Sequence, residues 1–184
     1  GCAVRPALAV GLQNAIIPCS KPFWGLFDYQ FDLDVYRAGA QTVLDGGELY
    51  RTKLMGGMDF TYAPISIVVF APFAWLATGL AHIVWTVGIF IALYLVIILG
   101  FRSLGHRNTA TLHGIAVCLV VVSLLLEPVR TTIWFGQINV FLMLIILADL
   151  LRGEDSRLRG AGAGLAAGIK LTPAITGLYF LARR

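Results

Sequence analysis

Asp32 and Asp34 stand two residues apart in Phe31-Asp32-Leu33-Asp34-Val35-Tyr36, at the head of the longest stretch of this chain that is not membrane-like. A carboxylate partly withdrawn from water binds its proton more tightly, and can take one from a hydroxyl that attacks an activated donor. The plainer role is a solvated charge that caps a helix. Extended backbone would put both carboxylates on one face. A helix would turn them about 200° apart, so that only one reaches a given substrate.

Glu127, Arg130, Gln137 and Asn139 interrupt a single hydrophobic passage. Polar and ionisable groups at membrane depth are costly and mark function by default. Arg130, beside Pro128, can meet a phosphate through charge-assisted hydrogen bonds. Gln137 and Asn139 can bond sugar hydroxyls or neighbouring helix ends. An extramembrane loop with a Glu–Arg surface pair is the alternative. Lys170 lies in another apolar run, just before Thr172-Pro173. It is either a snorkelling lysine or a cation held where the proline breaks the helix and non-helical backbone lines a cavity. His82, His106 and His113 show no ligand spacing, nor do Cys2, Cys19 and Cys118. No metal cluster, phosphate loop, dinucleotide fingerprint or serine elbow is present, so no metal or resident cofactor is expected.

The elements that must position these residues are apolar. The 184 residues are 58% hydrophobic and 13% charged, with mean hydropathy +0.82. A soluble domain is nearer a quarter charged. At ~20 residues per crossing the length suits roughly five or six membrane segments. The net charge of +4 is mostly arginine in short loops, which reports orientation. No basic patch interleaves with aromatics outside the apolar runs, so no nucleic acid is expected.

In order, residues 7–18 fit the tail of a first transmembrane helix, and Lys21 to Gly25 an interfacial exit. From Asp34 to Leu44 the pattern predicts an amphipathic helix with Val35, Ala38, Val43 and Leu44 on one side and Arg37 and Gln41 on another. Asp32 or Asp34 would cap it, and Asp45-Gly46-Gly47 would end it. A short element follows over Glu48–Lys53, then a loop at residues 56–59. Tyr62 to Phe101 carries no charged residue and is long enough for two spans, bent at Pro64 and Pro72 and turning at Ala77-Thr78-Gly79. Residues 127–132 predict a polar break, 152–159 a charged loop, and 170–173 a break in the last apolar run. The arginine-bearing loops at 102–107 and 152–159 ask for one common, cytoplasmic side. Two full spans over 62–101 would instead return the first of them to the side of Asp32. One segment must therefore be re-entrant or half-length.

Four blocks in order resemble glycosyltransferase family 87: Asp32-Leu33-Asp34-Val35-Tyr36-Arg37 followed by Gly47-Glu48-Leu49-Tyr50; Phe60-Thr61-Tyr62-Ala63-Pro64; Phe135-Gly136-Gln137-Ile138-Asn139; and Gly164 to Pro173. The resemblance implies an all-α integral membrane fold, a GT-C-type multi-span helical bundle with juxtamembrane helices in its first extracytoplasmic loop. Residues 1–184 would be one transmembrane domain, the N-terminal part of a longer chain, with 26–60 as that loop. It implies a plasma-membrane enzyme, active on the extracytoplasmic side. Such an enzyme would move mannose, with inversion, from a polyprenyl-phosphate donor to phosphatidylinositol mannoside or lipomannan. Arabinofuranosyl transfer stays open, and a transporter or scaffold is the reading from outside the class. The family's acidic pattern falls on Asp32 as general base, with Asp34 in its variable slot. Asp34, Tyr36, Glu127, Arg130, Gln137, Asn139 and Lys170 are the expected substrate-binding residues.

Overall fold

The computed structural model describes residues 30–153 and 155–182. The expected elements at 7–18 and 21–25, and Cys2 and Cys19, lie outside the described residues. Every regular element among the described residues is helical.

Helix α1 spans Phe31–Leu44 and buries Leu33, Val35, Tyr36, Gly39 and Ala40. Leu33, Tyr36 and Ala40 recur at helical spacing and define the packed stripe. The expected face holds only in part, because Val43 and Leu44 are exposed. The helix also starts earlier than Asp34. Gln30 stands at its N-cap, so neither aspartate caps it, and both fall in the first turn, where carboxylates complement the helix dipole. Asp45 ends it as expected, followed by Gly46 at φ 78°. The short element expected at 48–53 is a set of turns, and a 3-10 turn occupies Met55–Gly57 instead.

The two spans expected over 62–101 are one half-length helix and one long one. Helix α2 is Ser66–Ala74, only about 14 Å long. Pro72 sits inside it and weakens its hydrogen-bond ladder. Arg37 of α1 then takes the carbonyls at its end. Nε donates to Phe73 O at 2.9 Å and Nη2 to Leu76 O at 2.6 Å, while Nη1 reaches Thr78 Oγ1 at 3.0 Å. Orphan carbonyls satisfied in this way need no further turn. Helix α3, Thr78–Ser103, is the one described helix long and apolar enough by itself to cross a membrane.

Helix α4 is Ala110–Ser123 and α5 is Glu127–Phe135; together they are apolar enough for a span, but they bend by 81°. The polar break expected at 127–132 is therefore a helix. Pro128 in its first turn is pre-set for a helix start. Helix α6 is Asn139–Leu150 and α7 is Ala161–Ile169; Lys170 is extended, a 3-10 turn covers Thr172–Ile175, and α8 is Thr176–Ala182. The break at 170–173 falls where the sequence put it.

The core joins α1, α2, α3 and α6 through aromatic rings. Tyr36 stacks on Phe70 at 4.3 Å, and Trp85 meets Phe73 at 5.0 Å and Phe141 at 4.9 Å. Each such pair contributes about 0.5–1.5 kcal/mol beyond its buried area. Helices α3 and α6 both start beside α1: Thr78 and His82 bond Arg37 and Asp34, and Gly136, just before α6, packs on Gln30 and Leu33. Outside this core α3 leaves Ile83, Val84, Val87, Ile91 and Leu95 exposed, an apolar surface larger than a water-soluble helix keeps.

Gly39 lets the 60–64 segment close on α1: a Cβ there would lie 2.5 Å from Phe60 Cδ2. Gly39→Ala is expected to lower the melting temperature of detergent-solubilised full-length protein by several degrees, in line with the ~1–3 kcal/mol cost of overpacking. An unchanged melting curve would show that Phe60 yields freely.

Candidate active site

At the N-terminal end of α1 the helix turns Asp32 and Asp34 to different neighbours. Asp34 Oδ1 accepts from His82 Nε2 at 2.9 Å and lies 3.2 Å from Arg37 Nη1. That cluster ties α1 to the start of α3. Asp32 faces the α5–α6 corner, where the Gln137 amide hydrogen-bonds its carboxylate.

From Gln137 a chain of contacts runs around the site and returns to α1. Asn139 Nδ2 donates to Gln137 Oε1 at 2.8 Å, and Lys170 Nζ donates to Asn139 Oδ1 at 2.9 Å. The same ammonium lies 5.4 Å from the centre of the Tyr62 ring. Tyr62 Oη shares a 2.7 Å hydrogen bond with Tyr36 Oη. Tyr36 also accepts from the Ile138 backbone N–H and lies one turn beyond Asp32 on the same helix face. Asp32, Tyr36, Gln137, Asn139 and Lys170, far apart in sequence, thus form one ring.

Gly136 makes the corner possible. It sits at φ +68°, and a Cβ there would come within 3.0 Å of both Gln30 and Leu33 Cβ. A side chain would be strained by the backbone and blocked by α1. Without that approach neither Gln137 nor the Ile138 amide reaches its partner.

Burial raises the proton affinity of Asp32 above the usual carboxylate range; the Gln137 hydrogen bond and the Lys170 charge oppose the rise. Tyr36 holds its proton far above the ordinary phenol range, because it is buried and faces Tyr62 and Asp32. At neutral pH it is a neutral hydrogen-bonding group. The site therefore offers a basic carboxylate, one cation and a set of fixed amides. No group of three His, Cys, Asp or Glu that could hold a metal occurs among the described residues.

Glu127 and Arg130 are not in the ring. They lie in the first turn of α5, Glu127 exposed and Arg130 half-buried. Three residues outside the expected site set do more than their sequence signals imply. Tyr62, in the sequence the start of the uncharged passage and one letter of a family block, closes the ring. Arg37 belongs to the polar side of the expected helix and to the first block, but its side chain is 14% exposed and holds three elements together. Asp149, near the far end of α6, is 1% exposed and accepts from Gly160 N at 3.0 Å and Ala163 N at 2.9 Å. It serves as a remote N-cap for α7, whose other end carries Lys170. A lone Asp closing an apolar run was its only signal.

The model of glycosyltransferase family 87 matches residues 60–184, a range that holds Tyr62, the Gly136 corner and Lys170 but not α1. A Mycolicibacterium smegmatis protein described as a polyprenol-phosphate-mannose-dependent alpha-(1-2)-phosphatidylinositol mannoside mannosyltransferase is 38% identical over 176 residues, covering 87% of this chain and 40% of that relative. Its Mycobacterium tuberculosis namesake is 35% identical over 180 residues, covering 88% and 42%. A second M. smegmatis protein, described as acting on phosphatidylinositol pentamannoside, is 37% identical over 160 residues, covering 83% and 38%. The chain thus spans about 40% of the length of these relatives. No solved structure matches it.

Gln137→Leu and Lys170→Met each remove a group that favours charged Asp32, so each is expected to move its titration to higher pH. Carbon-detected titration of labelled aspartate in the full-length protein reads this. A downward or absent shift in both variants would overturn the electrostatic account.

Proposed function

The chain belongs to glycosyltransferase family 87, and from that premise we propose that it is part of a membrane glycosyltransferase that moves mannose from polyprenyl-phosphate mannose to a phosphatidylinositol mannoside or lipomannan acceptor. The observation that carries this reading is the basic carboxylate of Asp32 set in one ring with Lys170. The descriptions of the mycobacterial relatives support the donor and acceptor.

Transfer with inversion needs a base on the acceptor side and a cation for the departing phosphate. Asp32 takes the proton of the acceptor hydroxyl as that oxygen attacks the anomeric carbon. The bond from that carbon to the polyprenyl phosphate breaks, and the phosphate leaves with the electron pair. A β-linked donor gives an α product. Lys170 stabilises the charge on the leaving phosphate. Gln137 keeps the Asp32 carboxylate aimed, and Tyr36 supplies a neutral hydroxyl one turn away. Asp34 serves the Arg37–His82 cluster. The charged form of Asp32 is the active one, so the rate rises with pH through a pKa that burial has lifted.

The arrangement belongs to a GT-C-type multi-span bundle. Helix α3 crosses the bilayer from the Asp32 side to the opposite side. Because α2 is half-length, the arginine-bearing loops at 102–107 and 152–159 both fall away from Asp32. That satisfies the positive-inside rule with the loops cytoplasmic and the site extracytoplasmic.

The test is sugar transfer by full-length protein in membranes, with labelled polyprenyl-phosphate mannose and a phosphatidylinositol mannoside acceptor. Asp32→Asn is expected to lower transfer by about 10²–10⁴, the usual share of a general base, while Asp34→Asn stays within roughly tenfold. Full activity in Asp32→Asn would remove the base assignment. Transfer from polyprenyl-phosphate arabinose but not mannose would replace the donor.

A further inference from the structure

A lysine that must meet a phosphate has a difficulty when a carboxylate lies in the same ring. Lys170 ends an unbranched side chain with four rotatable bonds, and Asp32 is near enough to feel its charge. A direct ion pair would satisfy both groups and disable both. The carboxylate would lose its basicity and the ammonium its free charge.

The geometry points to Tyr62 as a positioning residue that holds the Lys170 ammonium away from Asp32 and leaves its charge available for the leaving phosphate. The ring face lies 5.4 Å from Nζ, and it attracts a cation through its quadrupole without bringing a counter-charge. The other contact of the ammonium, Asn139 Oδ1 at 2.9 Å, is neutral too. The ring itself is fixed at three points. Its hydroxyl bonds Tyr36 Oη, its backbone carbonyl accepts from Tyr50 Oη at 2.8 Å, and it meets Tyr36 edge-on at 4.9 Å. Neighbouring Ile65 lies close to α7: a Cβ added at Gly168 would stand 3.7 Å from its Cγ2. The segment that carries the ring thus runs beside the helix that carries the lysine.

Other charges do not provide this separation. The titratable groups facing Asp32 are Tyr36 on its own helix and Lys170 at the end of α7. His82 of α3 and Arg37 of α1 both pair with Asp34, and Arg37 also holds the carbonyls of Phe73 and Leu76. Tyr62 and Asn139 are the contacts of the lysine in the ring, and only Tyr62 stands on the 60–64 segment.

The inference rests on Asp32 as base and Lys170 as phosphate cation, and the test separates its failure from theirs. Tyr62→Leu, Tyr62→Phe, Lys170→Met and the Tyr62→Leu/Lys170→Met double variant are compared in full-length protein. One readout is the pH profile of transfer with the donor KM. The other is direct titration of labelled Asp32 without substrate, which needs no activity. In Tyr62→Leu the lysine falls onto Asp32. The acidic limb and the Asp32 titration then move to lower pH, opposite to Lys170→Met, and the donor KM rises roughly three- to fivefold, about the worth of a partly exposed cation–ring contact. Tyr62→Phe keeps the ring and so the wild-type limb. In the double variant the limb stays where Lys170→Met alone puts it. A limb and titration unmoved in Tyr62→Leu, an equal shift in Tyr62→Phe, or a further shift in the double variant would each overturn the role. If the wild type transfers no sugar, the function fails while the titration still decides Tyr62.

Discussion

Everything at the site depends on how closely the α5–α6 corner approaches the first turn of α1. Gly136 permits it twice over, by adopting a left-handed conformation and by presenting no side chain where Gln30 and Leu33 already sit. From that one approach Gln137 reaches Asp32, the Ile138 amide reaches Tyr36, and Asn139 opens α6 in position to receive Lys170. The contacts further out are consequences. The aromatic stack of Tyr36 on Phe70, and Trp85 between Phe73 and Phe141, presses α2, α3 and α6 onto the same helix, so the corner cannot withdraw without opening the core.

The helical period separated the two carboxylates more cleanly than their adjacency in sequence suggested. One turn of α1 gives Asp34 to an ion cluster that fastens helices together, and gives Asp32 to a half-buried place where a proton is held tightly. The sequence already contained this separation as an angle. What it lacked was the identity of the neighbours. His82 and Arg37 come to Asp34 from 48 and 3 residues away, and no local pattern announces the first of these.

Legibility followed distance along the chain. The end of α1 at Asp45, the break at Lys170 and the apolar character of α3 are local matters of turn residues and hydropathy, and all three were readable. The length of α2 was not. Its sequence is as apolar as a span, yet it ends at Ala74, where an arginine from another helix takes the carbonyls of Phe73 and Leu76. The face of α1 was misjudged for a related reason. Tyr36 and Gly39 are buried by a ring and a gap supplied from elsewhere, while the aliphatic Val43 and Leu44 run out into solvent. Glu127 and Arg130 are polar residues in an apolar run, yet they begin a short helix whose far end carries the glycine on which the site depends.

The ring of contacts is closed by a residue that lies 138 positions after the one that opens it. A chain synthesised at ~5–20 residues per second exposes Asp32 for on the order of ten seconds before Lys170 exists. During that interval the first turn of α1 and the cluster at Arg37 can form, while the carboxylate has neither its cation nor its amide partner. Biosynthesis thus imposes an order on the site. The scaffold around Asp34 is local enough to be laid down early, and the chemically competent arrangement around Asp32 arrives only when the hairpin of α6 and α7 folds back and is latched by Asp149 at its opposite end.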